Sequence, residues 1–137
     1  MPKTTNFAPE TCTLCPRQCR ADRAAGRIGF CGAGGALKAA RAALHFWEEP
    51  CISGTRGSGT VFFSGCTLKC CFCQNYPISA EGLGKEISVG HLAEIFLDLQ
   101  AQGAHNINLV TPGQWRPWII AALDIARANG LHLPIVC

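Results

Sequence analysis

Three cysteines in a C-x3-C-x2-C spacing, Cys66, Cys70 and Cys73, are the residues of this 137-residue chain best placed to do chemistry. Thiolates held this close together can converge on one small inorganic object, and iron–sulfur cubes are ligated by cysteine thiolates. A full set would be four. Three leave one iron of a [4Fe–4S] cluster without a protein ligand, and an open iron can bind a substrate or cofactor. Closed structural zinc sites use four protein ligands, typically in paired knuckles. Phe72, directly before Cys73, reads as an apolar wall limiting solvent access to such a cluster.

A second group lies nearer the N-terminus, where Cys12, Cys15, Cys19 and Cys31 fall among Arg17, Arg20, Arg23 and Arg27. Four thiols at knuckle-like spacing could close a zinc site, hold a second iron–sulfur cluster, or be the reduced cysteines of an irregular lobe. Gly26, Gly29, Gly32, Gly34 and Gly35 point to a tightly turned segment with little regular structure. Cys51, Cys71 and Cys137 read as buried, inert thiols. His45, His91, His105 and His132 share no spacing that suggests a metal site or catalytic pair, and no catalytic side chain is assigned.

The run from Ser64-Gly65-Cys66 through Cys70, Phe72 and Cys73 to Tyr76-Pro77-Ile78-Ser79 resembles the cluster motif of the radical S-adenosylmethionine (SAM) enzymes, C-x3-C-x-aromatic-C. Within that superfamily it looks like the branch related to pyruvate formate-lyase activating enzymes, and most like a group of activating-enzyme-like iron–sulfur proteins. The flanking strings Trp47-Glu48-Glu49-Pro50-Cys51-Ile52-Ser53-Gly54 and Asn106 to Pro112 share the likeness, which runs from Cys12 to Cys137.

The resemblance implies that Cys66, Cys70 and Cys73 hold a [4Fe–4S] cluster whose open iron takes the amino and carboxylate groups of SAM. One electron then cleaves SAM to methionine and a 5′-deoxyadenosyl radical, which abstracts a hydrogen atom. It also implies a glycyl-radical protein as partner and an electron donor such as flavodoxin or ferredoxin. Thr111-Pro112-Gly113-Gln114 stands where the family often has a Gly-Gly-Glu segment that meets SAM. Thr111, Pro112 and Gly113, with Phe72 and Asn75, are therefore the candidate cofactor-binding residues. Two rival classes stand beside this reading. One is an iron–sulfur protein that only transfers electrons, and the other is a zinc-binding interaction module built on the N-terminal cysteines.

The elements that must position these residues can be read from pattern. A hydrophobic content of 48% supports a core, while 15% charged residues and a net charge of +3 do not fit a disordered or nucleic-acid-coating chain. Residues 1–11 read as a loose polar leader. There is no 18-residue apolar span and no signal-peptide pattern, and ten cysteines without a secretion signal point to a reducing compartment. A cytoplasmic protein without membrane or nucleic-acid partners is expected.

Val61-Phe62-Phe63 reads as a buried strand, led into by the flexible run Gly54–Gly59. A helix is expected from about Val89 to Gln102, with Ser88 as N-cap and Leu92, Ile95, Phe96 and Leu99 on one face. Asn106–Thr111 reads as a second strand, Pro117–Asn129 as a second helix, and Leu133–Cys137 as the start of a third strand. Residues 36–47 fit either helix or strand. Strand-helix alternation implies an α/β fold with parallel strands. The resemblance specifies a partial (βα) barrel of radical SAM type, about three strands of which fall in this chain. Two units are expected: a Cys-rich lobe over 1–55, and the N-terminal half of the barrel over 56–137, in a chain truncated relative to the full barrel.

Overall fold

In the segment after Arg56, alternate residues point to opposite sides, as strand geometry requires. Val61 and Phe63 are fully buried toward one side, and Thr60 and Phe62 face the other. The computed structural model describes residues 6–137, so the leader reading rests partly on residues outside the described ones. Five strands are present: β1 (Lys38–His45), β2 (Ser58–Phe63), β3 (Lys85–Glu86), β4 (Ile107–Val110) and β5 (Ile135–Val136). They form one sheet in the order β3-β1-β2-β4-β5. β1 runs antiparallel to both β2 and β3, whereas β2, β4 and β5 are mutually parallel. Gly59 pairs with Ile107 and Val61 with Leu109.

Helices α1 (Pro50–Ser53) and α2 (Tyr76–Ser79) are single turns, while α3 (Val89–Ala101) and α4 (Arg116–Ala128) are the two long ones. The Ser88 hydroxyl caps α3 by accepting from the His91 N–H at 3.0 Å. Leu92, Phe96 and Leu99 of α3 and Trp118, Ile119, Ala122 and Ala126 of α4 pack into one core with Val61, Phe63, Ile107 and Leu109. Both helices therefore cover the same face of the sheet. A short 3-10 turn (Gly113–Trp115) carries the chain from β4 into α4.

The barrel expectation is overturned. The sheet is mixed, five-stranded and open, not a (βα) barrel. The physical reason is β1. Its alanine-rich sequence is compatible with a helix, yet it lies along the edge of β2 that faces away from β4, and β3 extends the sheet beyond it. Those two antiparallel strands send the sheet outward, and β3 and β5 end as its two separate edges. Gly54–Gly59 is also not a loose lead-in throughout, since Ser58 and Gly59 are already paired and buried in β2. Residues 6–37 contain no helix or strand. Among the described residues, no helix is long and apolar enough to cross a membrane.

Candidate functional site

Cys66 follows β2 by only two residues, and those two are held from several sides. The Ser64 carbonyl accepts from Trp115 Nε1 at 2.9 Å and from Gln114 Nε2 at 3.2 Å, and Gln114 also reaches the Gly65 carbonyl at 3.0 Å. Both donors are buried. The Ser64 hydroxyl donates to the Leu83 carbonyl at 2.7 Å, and the Gly65 N–H donates to Ile78 of α2 at 3.0 Å. From the N-terminal lobe, the Cys31 carbonyl accepts the Cys66 N–H at 3.0 Å, and Arg17 Nε donates to the Thr67 carbonyl at 2.9 Å. The root of the cysteine loop is thus tied to the lobe, to α2 and to the turn after β4. Sequence pattern does not reveal Gln114 as an anchor, because its partners lie about fifty positions away in the chain.

Beyond Thr67 the loop is held by its own turns, the Cys73 N–H bonding the Cys70 carbonyl and the Tyr76 N–H the Cys73 carbonyl, each at 3.2 Å. Cys66, Cys70 and Cys73 are partly buried, whereas Cys71 is exposed, as are Cys51 and Cys137, which corrects their reading as buried thiols. Phe72 stands 86% exposed, so it walls nothing in the chain as folded. The Leu68 N–H lies 3.4 Å from Cys66 Sγ, and the Ser79 hydroxyl lies 3.3 Å from Cys73 Sγ. Lys69 and Thr111 both have left-handed backbone, with φ of 52° and 54°. Such residues cost on the order of 1 kcal/mol or more and concentrate at functional sites. Thr111 recovers part of this by donating its hydroxyl to the Phe63 carbonyl at 3.1 Å. Pro112 and Gly113 form the turn that follows, and hold Gln114 and Trp115 against Ser64.

The sheet face opposite α3 and α4 carries a second feature. A cavity of about 630 Å³ runs along it, lined by Arg41, His45, Glu48 and Asn108, and bounded at one end by Gln74 and Asn75 of the cysteine loop. That size is ordinary for a small-molecule site. His45 Nδ1 sits 3.3 Å from a Glu48 carboxylate oxygen without the alignment of a hydrogen bond. Deeper along this face, the Ser58 hydroxyl donates to Asn106 Oδ1 at 2.5 Å, and Asn106 Nδ2 donates to the Ile52 carbonyl of α1 at 2.8 Å. Sequence reasoning missed these residues. The available signal was the polar set Ser58, Thr60, Asn106 and Asn108, spaced by two along both strands.

The donor set can be tested against a cluster. In chemistry it fits: three partly buried thiols lie on one loop, hydrogen-bond donors meet two of the sulfurs, and cations stand nearby. Arg17 lies 4.0 Å and Lys69 5.2 Å from the Phe30 ring centre, beside the loop. Positive charge favours thiolates and the anionic complexes they form. In arrangement the loop is open. Among the described residues, no group of three or more His, Cys, Asp or Glu side chains stands in metal-binding geometry. Loading would require the turns between Lys69 and Gln74 to close.

The chain is 36% identical over 134 residues to the uncharacterized protein MJ0674 of Methanocaldococcus jannaschii, covering 93% of this chain and 38% of that protein. It thus spans well under half the length of the curated relative it matches. No protein-family model matches the chain, and no solved structure does.

Proposed function

We propose that this chain carries the cluster-binding portion of a radical SAM iron–sulfur protein, with Cys66, Cys70 and Cys73 as ligands to three irons of a [4Fe–4S] cluster and the fourth iron open to SAM. When bound, the cluster would supply the electron for reductive cleavage of SAM to methionine and a 5′-deoxyadenosyl radical. The support comes from one juxtaposition: a C-x3-C-x2-C loop rooted at the C-terminal end of β2, with its Gln74 and Asn75 lining the cavity of about 630 Å³. In parallel α/β sheets, ligands bind beyond the carboxyl ends of the strands.

The chain's own residues then have definable tasks. Gln114 and Trp115 fix the root of the loop and so the position of Cys66, while Cys70 and Cys73 are placed by the loop's own turns and by Ser79. Thr111, Pro112 and Gly113 set the turn that holds those two donors, and Asn75 offers an amide at the cavity mouth. Arg41 and Glu48 add a cation and a carboxylate to the same cavity, where they can meet polar groups of a bound ligand. Activation of a glycyl-radical partner, with a flavodoxin- or ferredoxin-like electron donor, is the activity this reading gives the whole protein.

Anaerobic reconstitution with iron and sulfide, followed by electron paramagnetic resonance with and without SAM, tests it. A cluster signal that changes on adding SAM, with 5′-deoxyadenosine formed under strong reductant, is the expected result. A cluster indifferent to SAM would make this an electron-transfer protein. Tight zinc with no cluster would make it an interaction module.

A further inference from the structure

The N-terminal lobe presents an unbalanced charge. Arg23 is 1% exposed, and its Nε and Nη1 donate to the Gly34 and Gln114 carbonyls at 2.8 and 2.7 Å. Its guanidinium lies 4.8 and 4.9 Å from the Trp115 and Trp118 ring centres. Yet Nη2 is buried without a hydrogen-bond partner, and among the described residues no carboxylate pairs with Arg23. A buried cation lacking an anion is costly. The field of this guanidinium reaches the Cys31 thiol.

Those thiols are gathered. Cys19 Sγ and Cys31 Sγ flank Gly29 so closely that a Cβ there would stand 3.3 and 3.6 Å from them. Cys12 lies near enough to bear on the Cys19 thiol, and Cys12 and Cys15 both act electrostatically on Cys31. Two tight backbone turns bring them there: the Gln18 N–H bonds the Cys15 carbonyl at 3.0 Å, and the Gly32 N–H bonds the Gly29 carbonyl at 2.9 Å. Cys12 and Cys31 are buried. The segment has neither helix nor strand, and all four of its cysteines are free thiols.

We infer that Cys12, Cys15, Cys19 and Cys31 close around one Zn²⁺ as a structural four-thiolate site, with Arg23 as its counter-charge. Binding releases the thiol protons to solvent and leaves a complex of net negative charge beside the unpartnered Nη2. One ion suits the spacing better than a cube. Zinc–sulfur bonds of about 2.3 Å put tetrahedral sulfurs about 3.8 Å apart, a compactness that suits Cys19 and Cys31, whose sulfurs both pack against Gly29. A cube holds its thiolates apart across irons and sulfides. Among the described residues the four thiols do not stand in closed metal-binding geometry, so the site requires them to draw together around the ion.

The test uses the full chain carrying Cys66→Ala, Cys70→Ala and Cys73→Ala, which removes the proposed cluster loop from the readout. Titrated with Co²⁺, this variant should develop the intense visible bands of tetrahedral cobalt–thiolate coordination at one equivalent, and Zn²⁺ should bleach them. Adding Cys19→Ser, an exposed position that leaves the core intact, should abolish the bands while the far-ultraviolet circular dichroism is kept. Weak octahedral bands, bands that survive Cys19→Ser, or iron with acid-labile sulfide in the lobe in place of zinc would each overturn the assignment. Because the cluster cysteines are absent from this variant, failure of the SAM reading leaves the result unaffected.

Discussion

At the scale of single residues, Cys71 and Cys73 lie two positions apart yet differ in surroundings: Cys71 is exposed, and Cys73 Sγ meets the Ser79 hydroxyl at 3.3 Å. We expect Cys66→Ala, Cys70→Ala or Cys73→Ala each to abolish the sulfur-to-iron charge-transfer absorbance of reconstituted protein, and Cys71→Ala to leave it largely intact. Loss with Cys71→Ala and retention with Cys73→Ala would reverse the ligand assignment. In the N-terminal lobe, hydrogen bonds from the Ala21 and Phe30 backbone hold the Cys19 thiol below its ordinary pKa, while burial pushes Cys31 up. The thiolate is the reactive form. Metal-free protein treated with iodoacetamide near neutral pH should therefore be alkylated at Cys19 before Cys31, as read by peptide mass spectrometry. The linkage signs are opposite: the Cys19 contribution to stability fades as pH falls through its lowered pKa, and that of Cys31 is lost as pH rises through its raised one. Gln114→Ala should cost about 1–3 kcal/mol in denaturant unfolding, because it strips the Ser64 and Gly65 carbonyls of a buried donor. The same variant should retain less iron. The cysteine spacing is visible in the sequence, but the burial of Gln114 is not, since its partners come from a distant strand end.

At the scale of elements, what could be read was what local chemistry decides. Ser88 caps α3, Leu92, Phe96 and Leu99 form its buried stripe, and Gly103 and Gly130 follow the two long helices with φ of 91° and 99°. β1 was not readable for the converse reason. An alanine-rich run has good helix propensity, and only pairing with β2 makes Lys38–His45 a strand. Gln74 and Asn75 form a turn, and Tyr76 and Pro77 then begin α2, a single helical turn too short for any periodic signal. The joint between lobe and loop depends on Gly65, whose φ is +81° and whose missing Cβ leaves room for the Cys31 carbonyl. Gly65→Ala should destabilise the chain by about 2–4 kcal/mol. Thermal unfolding checks the size of the loss. Hydrogen exchange should locate it in both Cys12–Cys31 and Cys66–Cys73, and protection lost from only one of these segments would show that they are not joined there.

At the scale of the whole molecule, three parallel strands with α3 and α4 between them follow from strand-helix alternation, but curvature and closure do not. They depend on what lies on the other edge of β2, and there β1 and β3 lead the sheet away from a barrel. Placing both long helices on one face leaves the opposite face to Arg41, Thr60, Phe62, Asn108 and Val110, most of which line the cavity beside the cysteine loop. One residue, Cys31, belongs to both cysteine groups, its thiol to the lobe and its carbonyl to the Cys66 N–H at 3.0 Å. Shared atoms make shared free energy. If occupancy of the lobe steadies that carbonyl, it lowers the ordering cost of the loop, and reciprocity then requires the loop to repay the lobe by the same factor. Stripping zinc with a chelator should accordingly weaken iron binding at Cys66–Cys73, and stripping iron should weaken zinc binding by an equal ratio of affinities. A ratio above one would mean that each site reports on whether the other is filled, and its loss in Gly65→Ala would trace that report to the single peptide hydrogen bond between Cys31 and Cys66.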